Sequence, residues 1–408
     1  MSDFHQNGII TTLHNFNNLS KKTIEQELKK FSKKRPVHLI LPSLFSELKR
    51  PALKKIISEL NKVDYISEVI IGLDQANESE FKYSKKFFKS LKIPHTILWN
   101  DGPKLLKLNA ELESINLAPK EFGKGRNVWY CLGYSISTDK AEAIAIHDCD
   151  IVTYTSDILS KLIYPIVNPN LNFEFCKGYY PRVYGSKMSG RASRLLVTPL
   201  IKSLKKIIGE NEYLDFMDSF RYPLAGECSF RKRILRDLKI PSDWGLEIGI
   251  LSEMHRNYRN SKICQIDIAD KYEHKHQDLS DNDINKGLSK MSIDISKTFI
   301  RKLATQGHIF SLETFRTLKA TYLRTALDYV EIYKKDAIMN DINYDEHTEE
   351  KAVDVFSENI MKAGEIYLGL PLDTPFIPTW NRVESCLLYT SDAADDLLCV
   401  DLGGRRII

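Results

Sequence analysis

Two aspartates one residue apart follow a short apolar run in the segment EAIAIHDCDIVTYTSD, which covers residues 142–157. In an extended chain alternate side chains share a face, so we expect Asp148 and Asp150 to point the same way and to repel each other. A divalent cation would relieve this repulsion, because carboxylate oxygens are ligands that Mg²⁺ and Mn²⁺ prefer. The pair is therefore a candidate metal site at the end of a strand.

Three interpretations of this Asp-x-Asp pair stay open on the residues alone. It could end a strand in solvent or cap a helix that begins near Thr155. A phosphatase of the haloacid dehalogenase type also has Asp-x-Asp after an apolar strand, but on the first strand of its domain, whereas three strand-helix units precede this pair. A nucleotide-sugar glycosyltransferase of the GT-A kind uses Asp-x-Asp to hold a metal ion on the donor diphosphate, with the nucleotide-binding half first in the chain.

The elements that must position the pair alternate between strand-like and helical patterns. Apolar runs typical of strands cover 37–44, 67–74, 95–101 and 143–150, and segments with helical spacing, including 51–63 and 79–92, lie between them. This alternation predicts an α/β fold whose sheet is mostly parallel and has helices on both faces. Because ligands of such sheets bind beyond the carboxyl ends of the strands, the strand ends are the expected site.

The rest of the chain is mixed and then helical. Patterns predict helices near 156–166, 191–208 and 243–258, strands near 173–185 and 263–270, and mostly helix after residue 280. We expect five regions: an N-terminal helical extension (1–36), a nucleotide-sugar-binding half (37–154), an acceptor-binding half (155–285), a helical C-terminal region (286–385) and a tail (386–408). The tail CLLYTSDAADDLLCVDLGGRRII resembles a translated sequencing adapter, so we assign it no function.

Composition narrows the function classes. The 408 residues carry a formal net charge of +4, too small an excess to indicate nucleic-acid binding. The basic stretch 20–36 is interpreted as a solvated amphipathic helix. No apolar run reaches the roughly 18 residues that cross a bilayer, and the N-terminus has no signal-peptide pattern. The seven cysteines lack close pairing, which suits reduced thiols, so we predict a cytoplasmic protein without a membrane partner.

Several segments together resemble the glucosyl-3-phosphoglycerate synthases, a family of retaining GT-A glycosyltransferases. They occur in the family's order over residues 37–300, and the ordered set is far more specific than any member alone. The segments are LPSL (41–44), GKGRNVW (123–129), HDCDI (147–151), FCKGYYPRV (175–183), GRASRLLVTPLI (190–201), YPLAGE (222–227), WGLEIGIL (244–251) and YEHKHQ (272–277).

The resemblance implies a donor-nucleotide site at the first strand ends. Pro42, Ser43 and Leu44 would contact uridine, and Asp74 would contact the base or ribose. Without the resemblance, Asp74 fits the N-cap of a helix equally well. Lys124 would reach the nucleotide from a Gly-Lys-Gly turn that lets the backbone approach closely.

The resemblance also implies a metal centre. Asp150 would bind Mg²⁺ or Mn²⁺ directly and is predicted to be catalytic, while Asp148 would hold ribose or a metal-bound water. His274 matches the family's distant metal ligand, and neutral imidazole is an acceptable partner for such an ion beside carboxylate and phosphate.

The acceptor implied by the family, 3-phosphoglycerate, carries a phosphate and a carboxylate. Gly190, Arg191 and Ser193 are predicted at a helix start, where free N–H groups favour an anion, and Arg191 adds a planar fork for phosphate. The family usually has Thr at the position of Ser193. His276 would contact the acceptor carboxylate, although some members have Asn there.

Two further glutamates complete the predicted site. Glu227 and Glu247 are predicted to bind the nucleotide sugar, and Glu247 to contact the donor glucose and be catalytic. Glu247 lies on an otherwise apolar helical face, where a carboxylate needs a partner. The structural alternative is an ion pair with Arg221 or Arg231.

The implied activity is transfer of glucose from UDP-glucose to 3-phosphoglycerate with retention, giving glucosyl-3-phosphoglycerate for the synthesis of a compatible solute. The nearest alternative is transfer of mannose from GDP-mannose to the same acceptor. A nucleotide-sugar-binding protein without catalysis is a third class. The helical last third favours a homodimer.

Overall fold

The computed structural model describes residues 6, 8–16, 18–274, 286–370 and 376–391, without the side chains of residues 184 and 387–391. Within these ranges eight strands form one sheet in the order β1-β10-β6-β9-β5-β2-β3-β4, and a short hairpin, β7-β8, stands apart. The strands are β1 (Thr11–Leu13), β2 (Val37–Leu44), β3 (Glu68–Asp74), β4 (His95–Trp99), β5 (Ala143–Ile146), β6 (Phe175–Tyr179), β7 (Val183–Tyr184), β8 (Lys187–Met188), β9 (Cys228–Arg231) and β10 (Ile263–Asp267).

Helices cover both faces of the sheet. One face packs against α1 (Lys21–Phe31), α2 (Pro51–Leu60), α3 (Glu78–Phe88) and α6 (Ser156–Val167). The other packs against α4 (Pro103–Ser114), α5 (Lys124–Thr138), α7 (Thr198–Ile208), α8 (Glu212–Asp218), α9 (Leu246–Asn257), α10 (Gly287–Ala304), α11 (Leu312–Met339) and α12 (Glu346–Gly369). All seven residues of β3 are buried, as expected for a strand covered on both faces.

Parallel pairing brings the predicted strand ends to one edge. In the register between β2 and β3, Leu44 lies opposite Asp74, and β5 lies on the other side of β2 with Ile40 opposite Ile146. The chain that leaves β5 therefore passes the carboxyl end of β2. This edge carries the donor-site residues predicted from the sequence.

Two strands of the eight-stranded sheet were not expected from the sequence. β1 lies in the region predicted to be only helical, and it pairs in parallel with β10 at the sheet edge. β9 runs antiparallel between β5 and β6, so the sheet is mixed at its centre. Both strands are short, with three and four residues, and short strands give no periodic pattern in the sequence.

The long helix predicted over 191–208 is interrupted. Ala192–Val197 form a π-helical segment, and α7 begins at Thr198. Pro199 has no N–H, so it cannot donate to the Leu195 carbonyl four residues earlier. The Tyr322 hydroxyl of α11 donates to that carbonyl instead, at 2.6 Å.

The end of the described chain packs on the core through a pair of tryptophans. A final helix, α13 (Trp380–Ser391), starts with Trp380, whose ring stacks on Trp129 of α5 at a centroid distance of 4.1 Å. Most of the predicted tail lies outside the described residues. In the part of the chain that the structure describes, no helix is both long and apolar enough to span a membrane.

Candidate active site

The Asp-x-Asp segment lies just beyond a strand rather than in it. β5 ends at Ile146, one further bond joins the His147 N–H to the Ile40 carbonyl at 3.1 Å, and a turn follows. Neither aspartate is in the strand, so the prediction that strand alternation aligns Asp148 with Asp150 is wrong. The two carboxyl groups nevertheless interact. Burial is the largest cause that raises the pKa of Asp150 to about 7, and the negative charge of Asp148 is the second largest.

Lys124 joins two of the predicted carboxylates. Its Nζ lies 2.6 Å from Asp148 Oδ1 and 3.0 Å from Glu247 Oε1. Burial disfavours the ammonium, but the two carboxylates outweigh burial and raise the pKa of Lys124 well above its usual value. Lys124 in turn overcomes the burial of Asp148 and lowers the pKa of that carboxyl. The structural alternative for Glu247, a pair with Arg221 or Arg231, is wrong.

The two glycines around Lys124 permit a close approach of backbones. A Cβ atom at Gly125 would lie 2.0 Å from the Pro241 carbonyl oxygen, and one at Gly123 would lie 2.8 Å from that of Ser242. Approach of this backbone to the nucleotide stays a prediction. In the structure the close contact is with the segment that leads into α9. This contact brings the start of α5, with Lys124, beside the start of α9, with Glu247.

Asp150 and His274 meet although 123 residues separate them in the chain. The distance from His274 Nδ1 to Asp150 Oδ2 is 3.7 Å. Among the described residues no cluster of three or more His, Cys, Asp or Glu side chains could enclose a metal ion alone. An open pair of one carboxylate and one imidazole fits an ion whose shell is completed by phosphate oxygens and water, as is usual for Mg²⁺.

The residues predicted to bind the donor nucleotide lie together at the edge formed by β2 and β3. Asp74 accepts a hydrogen bond from Arg126 Nη2 at 3.0 Å, and both side chains are buried. Burial raises the pKa of Asp74, and Arg126 opposes this rise. The helix-cap alternative for Asp74 is wrong, because Asn77 caps α3. Ser43 is buried at the end of β2, while Leu44 is exposed.

Glu227 is fully buried beside two tyrosines whose rings stack on each other. Tyr180 and Tyr272 donate to its two carboxylate oxygens at 2.5 and 2.7 Å, and their rings lie 3.6 Å apart. Burial and the nearby charge of Asp148 raise the pKa of Glu227. Its contact with the nucleotide sugar stays a prediction. Tyr272 connects Glu227 to the loop after β10, which also carries His274.

The predicted acceptor residues lie at the start of the π-helical segment. Gly190 has a φ of +81°, and its carbonyl accepts from the Ser193 N–H at 3.1 Å. Arg191 is not simply solvent-facing, because its Nε donates to Glu349 of α12 at 2.7 Å. Ser193 is buried. His276 lies outside the described residues.

Sequence reasoning missed the partners that orient the site. Arg126 stands two residues after Lys124, and its buried pairing with Asp74 was not anticipated. Tyr180 and Tyr272 lie within segments that carry the family resemblance, so their positions offered a signal. Glu349 is separated from Arg191 by 158 positions, and no local pattern marks it.

Sequence comparison finds close relatives along nearly the whole chain. No family model matches. The chain is 44% identical over 392 residues to the glucosyl-3-phosphoglycerate synthase of Persephonella marina, covering 96% of this chain and 97% of the relative. It is 39% identical over 404 residues to the enzyme of the same name from Methanococcoides burtonii, covering 96% and 98%.

Structure comparison finds the same fold at low sequence identity. Glucosyl-3-phosphoglycerate synthase from Mycobacterium tuberculosis, in complex with Mn²⁺, UDP and glucosyl-3-phosphoglycerate, matches with a TM-score of 0.53 and 17% identity over 72% of this chain and 88% of that one. Mannosyl-3-phosphoglycerate synthase from Rubrobacter xylanophilus matches with a TM-score of 0.55 and 18% identity over 74% and 83%. The predicted GT-A fold with a helical C-terminal part is thus confirmed.

Proposed function

The chain belongs to the glucosyl-3-phosphoglycerate synthase family, and from this membership we propose that it transfers glucose from UDP-glucose to 3-phosphoglycerate. The full-length relatives support glucose over mannose, since the mannosyl enzyme resembles this chain in fold alone. The structural observation that supports the proposal is the convergence of Asp150, His274, Lys124 and Glu247 at one sheet edge. The product would be glucosyl-3-phosphoglycerate, a precursor of a compatible solute.

Asp150 and His274 would hold Mg²⁺ or Mn²⁺ at the donor diphosphate. The ion would take up negative charge on the departing diphosphate. The charges of the site support a cation here. Four carboxylates, those of Asp148, Asp150, Glu227 and Glu247, share one site, and Lys124 bonds to only two of them.

The remaining residues would bind and orient the two substrates. Residues 42–44 and Asp74, held by Arg126, would contact the uridine, and Asp148 the ribose or a metal-bound water. Glu247 would accept hydrogen bonds from the donor glucose through the oxygen that Lys124 leaves open. Gly190, Arg191 and Ser193 would bind the acceptor phosphate, and His276 its carboxylate.

Retention would proceed without a covalent intermediate on the protein. The acceptor hydroxyl would attack C1 from the face that the diphosphate leaves, and a leaving phosphate oxygen would take the proton. A glutamate nucleophile is disfavoured because both oxygens of Glu227 accept from tyrosine hydroxyls and Glu247 bonds to Lys124. The catalytic contribution of Asp150 and Glu247 would thus be electrostatic and orientational.

The direct test incubates the purified chain with Mg²⁺, 3-phosphoglycerate and UDP-glucose labelled with ¹³C at C1, and follows the anomeric carbon by NMR. We expect an α-linked glucosyl-3-phosphoglycerate. A β-linked product would contradict retention. A parallel reaction contains GDP-mannose, and efficient transfer from it but not from UDP-glucose would favour the mannosyl alternative. Release of phosphate without transfer would favour a phosphatase. Binding without turnover would favour a non-catalytic protein. The cytoplasmic location and the homodimer remain predictions.

A further inference from the structure

The C-terminal helices reach the segment that carries the predicted acceptor site. We propose that Glu349 of α12 is a positioning residue that aims Arg191 at the phosphate of the acceptor. This inference rests on the proposed function, since it assigns the acceptor phosphate to Arg191. It adds a residue outside the segments that carry the family resemblance.

Glu349 is buried between two arginines and bonds to both. Its Oε1 accepts from Arg191 Nε at 2.7 Å, and its Oε2 accepts from Arg194 Nη2 at 2.8 Å. The carboxylate side chain is 5% exposed, that of Arg194 is 9% exposed, and that of Arg191 is 34% exposed. Arg194 is therefore the buried half of the arrangement and Arg191 the accessible half.

The geometry leaves part of Arg191 available to a ligand. Glu349 bonds to Nε, so the two terminal nitrogens of the guanidinium can form the paired hydrogen bonds that phosphate accepts. Two guanidinium groups share the Glu349 carboxylate, so these three side chains together carry one net positive charge. A phosphorylated acceptor would meet both a fixed donor pair and an attractive charge.

Other contacts from the same helices fix the segment around Arg191. The Asn343 N–H, between α11 and α12, donates to the Ser186 carbonyl at 2.9 Å. The guanidinium of Arg194 lies over the Tyr333 ring of α11, 4.8 Å from its centre. Arg194 Nε also donates to the Ser189 carbonyl at 3.0 Å. The segment that presents Arg191 is thus held by α11, by α12 and by the turn between them.

The alternative to positioning is that the negative charge of Glu349 weakens anion binding at Arg191. The burial of the pair favours positioning. Removing one partner of a buried, hydrogen-bonded charge pair leaves the other charge unpaired, which is strongly unfavourable. Without Glu349 the buried Arg194 would lose its counter-charge and Arg191 the bond that orients it, so the segment would rearrange.

The test compares steady-state kinetics of the full chain with those of E349Q, E349D and a matched control, E358Q. Glu358 lies on the same helix, is 70% exposed and pairs with Lys319. For E349Q we expect the KM for 3-phosphoglycerate to rise roughly tenfold or more, the KM for UDP-glucose to stay within about twofold, and kcat to change less. E349D retains the charge and should recover part of the loss, while E358Q should match the wild type.

A KM for 3-phosphoglycerate that stays unchanged or falls in E349Q would overturn the proposal. An equal rise of both KM values together with a lower melting temperature would also overturn it, since it would show a purely structural role. If E349Q does not fold, the same selective rise is required of E349D. A wild-type chain that transfers no glucose to 3-phosphoglycerate would refute the proposed function itself, which distinguishes the two failures.

Discussion

Asp148 and Asp150 stand one residue apart, but their pKa values shift in opposite directions, and only Asp148 bonds directly to Lys124. Lys124 lies 2.6 Å from Asp148 and lowers the pKa of that carboxyl despite its burial. Burial and the neighbouring charge of Asp148 raise the pKa of Asp150 to about 7. The residue left without a lysine is the one proposed to bind the cation, so the site divides its carboxylates between an internal and a bound positive charge.

Replacing Lys124 with methionine should lower the activity, because it removes the internal positive charge from the site. K124M leaves Asp148 and Glu247 without their shared cation, so we expect kcat/KM for UDP-glucose to fall about a hundredfold, as for the loss of one electrostatic contact in an active site. The control is K107M, since Lys107 lies on α4 with its side chain 72% exposed. Steady-state kinetics that give K124M and K107M the same activity would refute the proposed importance of Lys124.

Sequence reasoning found residue types better than it found their partners. Asp150 and His274 could be named because each belongs to a segment that resembles the family, and the structure brings them within 3.7 Å. The partner of Glu247 could not be named, because Lys124 is 123 positions away and any buried cation satisfies the same chemical need. Pairings between distant residues depend on the packing of whole elements, which local patterns do not encode.

At the scale of elements, the loop before α9 and the middle of α10 share a group of buried charges. Asp243 accepts from the Gly245 N–H at 2.8 Å and lies 3.9 Å from Lys297 Nζ. Burial, followed by the charge of Asp294, raises the pKa of Asp243 from 3.8 to about 7. This group supports the turn that leads to Glu247.

The raised pKa of Asp243 predicts a pH dependence of stability. Between about pH 4 and pH 7 the folded protein holds a proton on Asp243 that the unfolded chain has lost, so the free energy of unfolding should decrease as the pH rises through this window. D243N keeps an oxygen for the Gly245 N–H and has no charge, so it should lose less stability between pH 5 and pH 8 than the wild type. Urea denaturation at both values measures this difference.

The control for this prediction is D328N on α11, whose parent side chain is 51% exposed. D328N should follow the wild-type change between the two pH values. If D243N showed the same loss of stability as the wild type, burial of an ionised Asp243 would not be the cause of the pH dependence.

The elements that sequence patterns predicted are those whose signal is local. β2 to β5 and the helices between them have apolar or amphipathic runs, and they occur at the expected positions, although β5 ends at Ile146 rather than at residue 150. β9 could not be predicted, because its four residues become a strand only by pairing with β5 and β6. The interruption before α7 has a local cause in Pro199, but its stabilisation by Tyr322 does not.

At the scale of the whole molecule, the C-terminal end of the described chain packs against the core that carries the site. Trp380 lies against α5, whose first residue is Lys124: its Nε1 donates to the Trp129 carbonyl at 3.1 Å, and Trp129 Nε1 donates to the Pro378 carbonyl at 2.9 Å. Gly133 leaves room for the Trp380 ring, which a Cβ atom would meet at 2.0 Å.

Truncating Trp380 should therefore destabilise the protein without a direct effect on the site. We expect W380A to lower the free energy of unfolding by about 3 kcal/mol, through the lost stacking and packing. W380F loses the indole N–H but keeps an aromatic ring, so its free energy of unfolding should fall by less than that of W380A. Chemical denaturation of both variants measures the effect, and wild-type stability in W380A would show that the tryptophan pair does not anchor the C-terminal segment.

The overall architecture of the molecule was predictable from the sequence, whereas the contacts between distant parts of the chain were not. Alternating patterns followed by helices indicated an α/β body with a helical end. The N-terminal strand β1 was missed because residues 11–13 form a strand only by pairing with β10, some 250 positions away in the chain. The link from α12 to Arg191 was missed for the same reason.

The central claim is that Asp150 and His274 together hold a divalent cation at the donor diphosphate. Titration of Mn²⁺ in the presence of UDP, followed by electron paramagnetic resonance at pH 8, tests it in the wild type, D150N and H274Q; this pH lies above the value of about 7 to which burial and Asp148 raise the pKa of Asp150. We predict one UDP-dependent Mn²⁺ site per chain, with affinity at least about tenfold weaker in each variant. Equal Mn²⁺ affinity in all three proteins would contradict the claim.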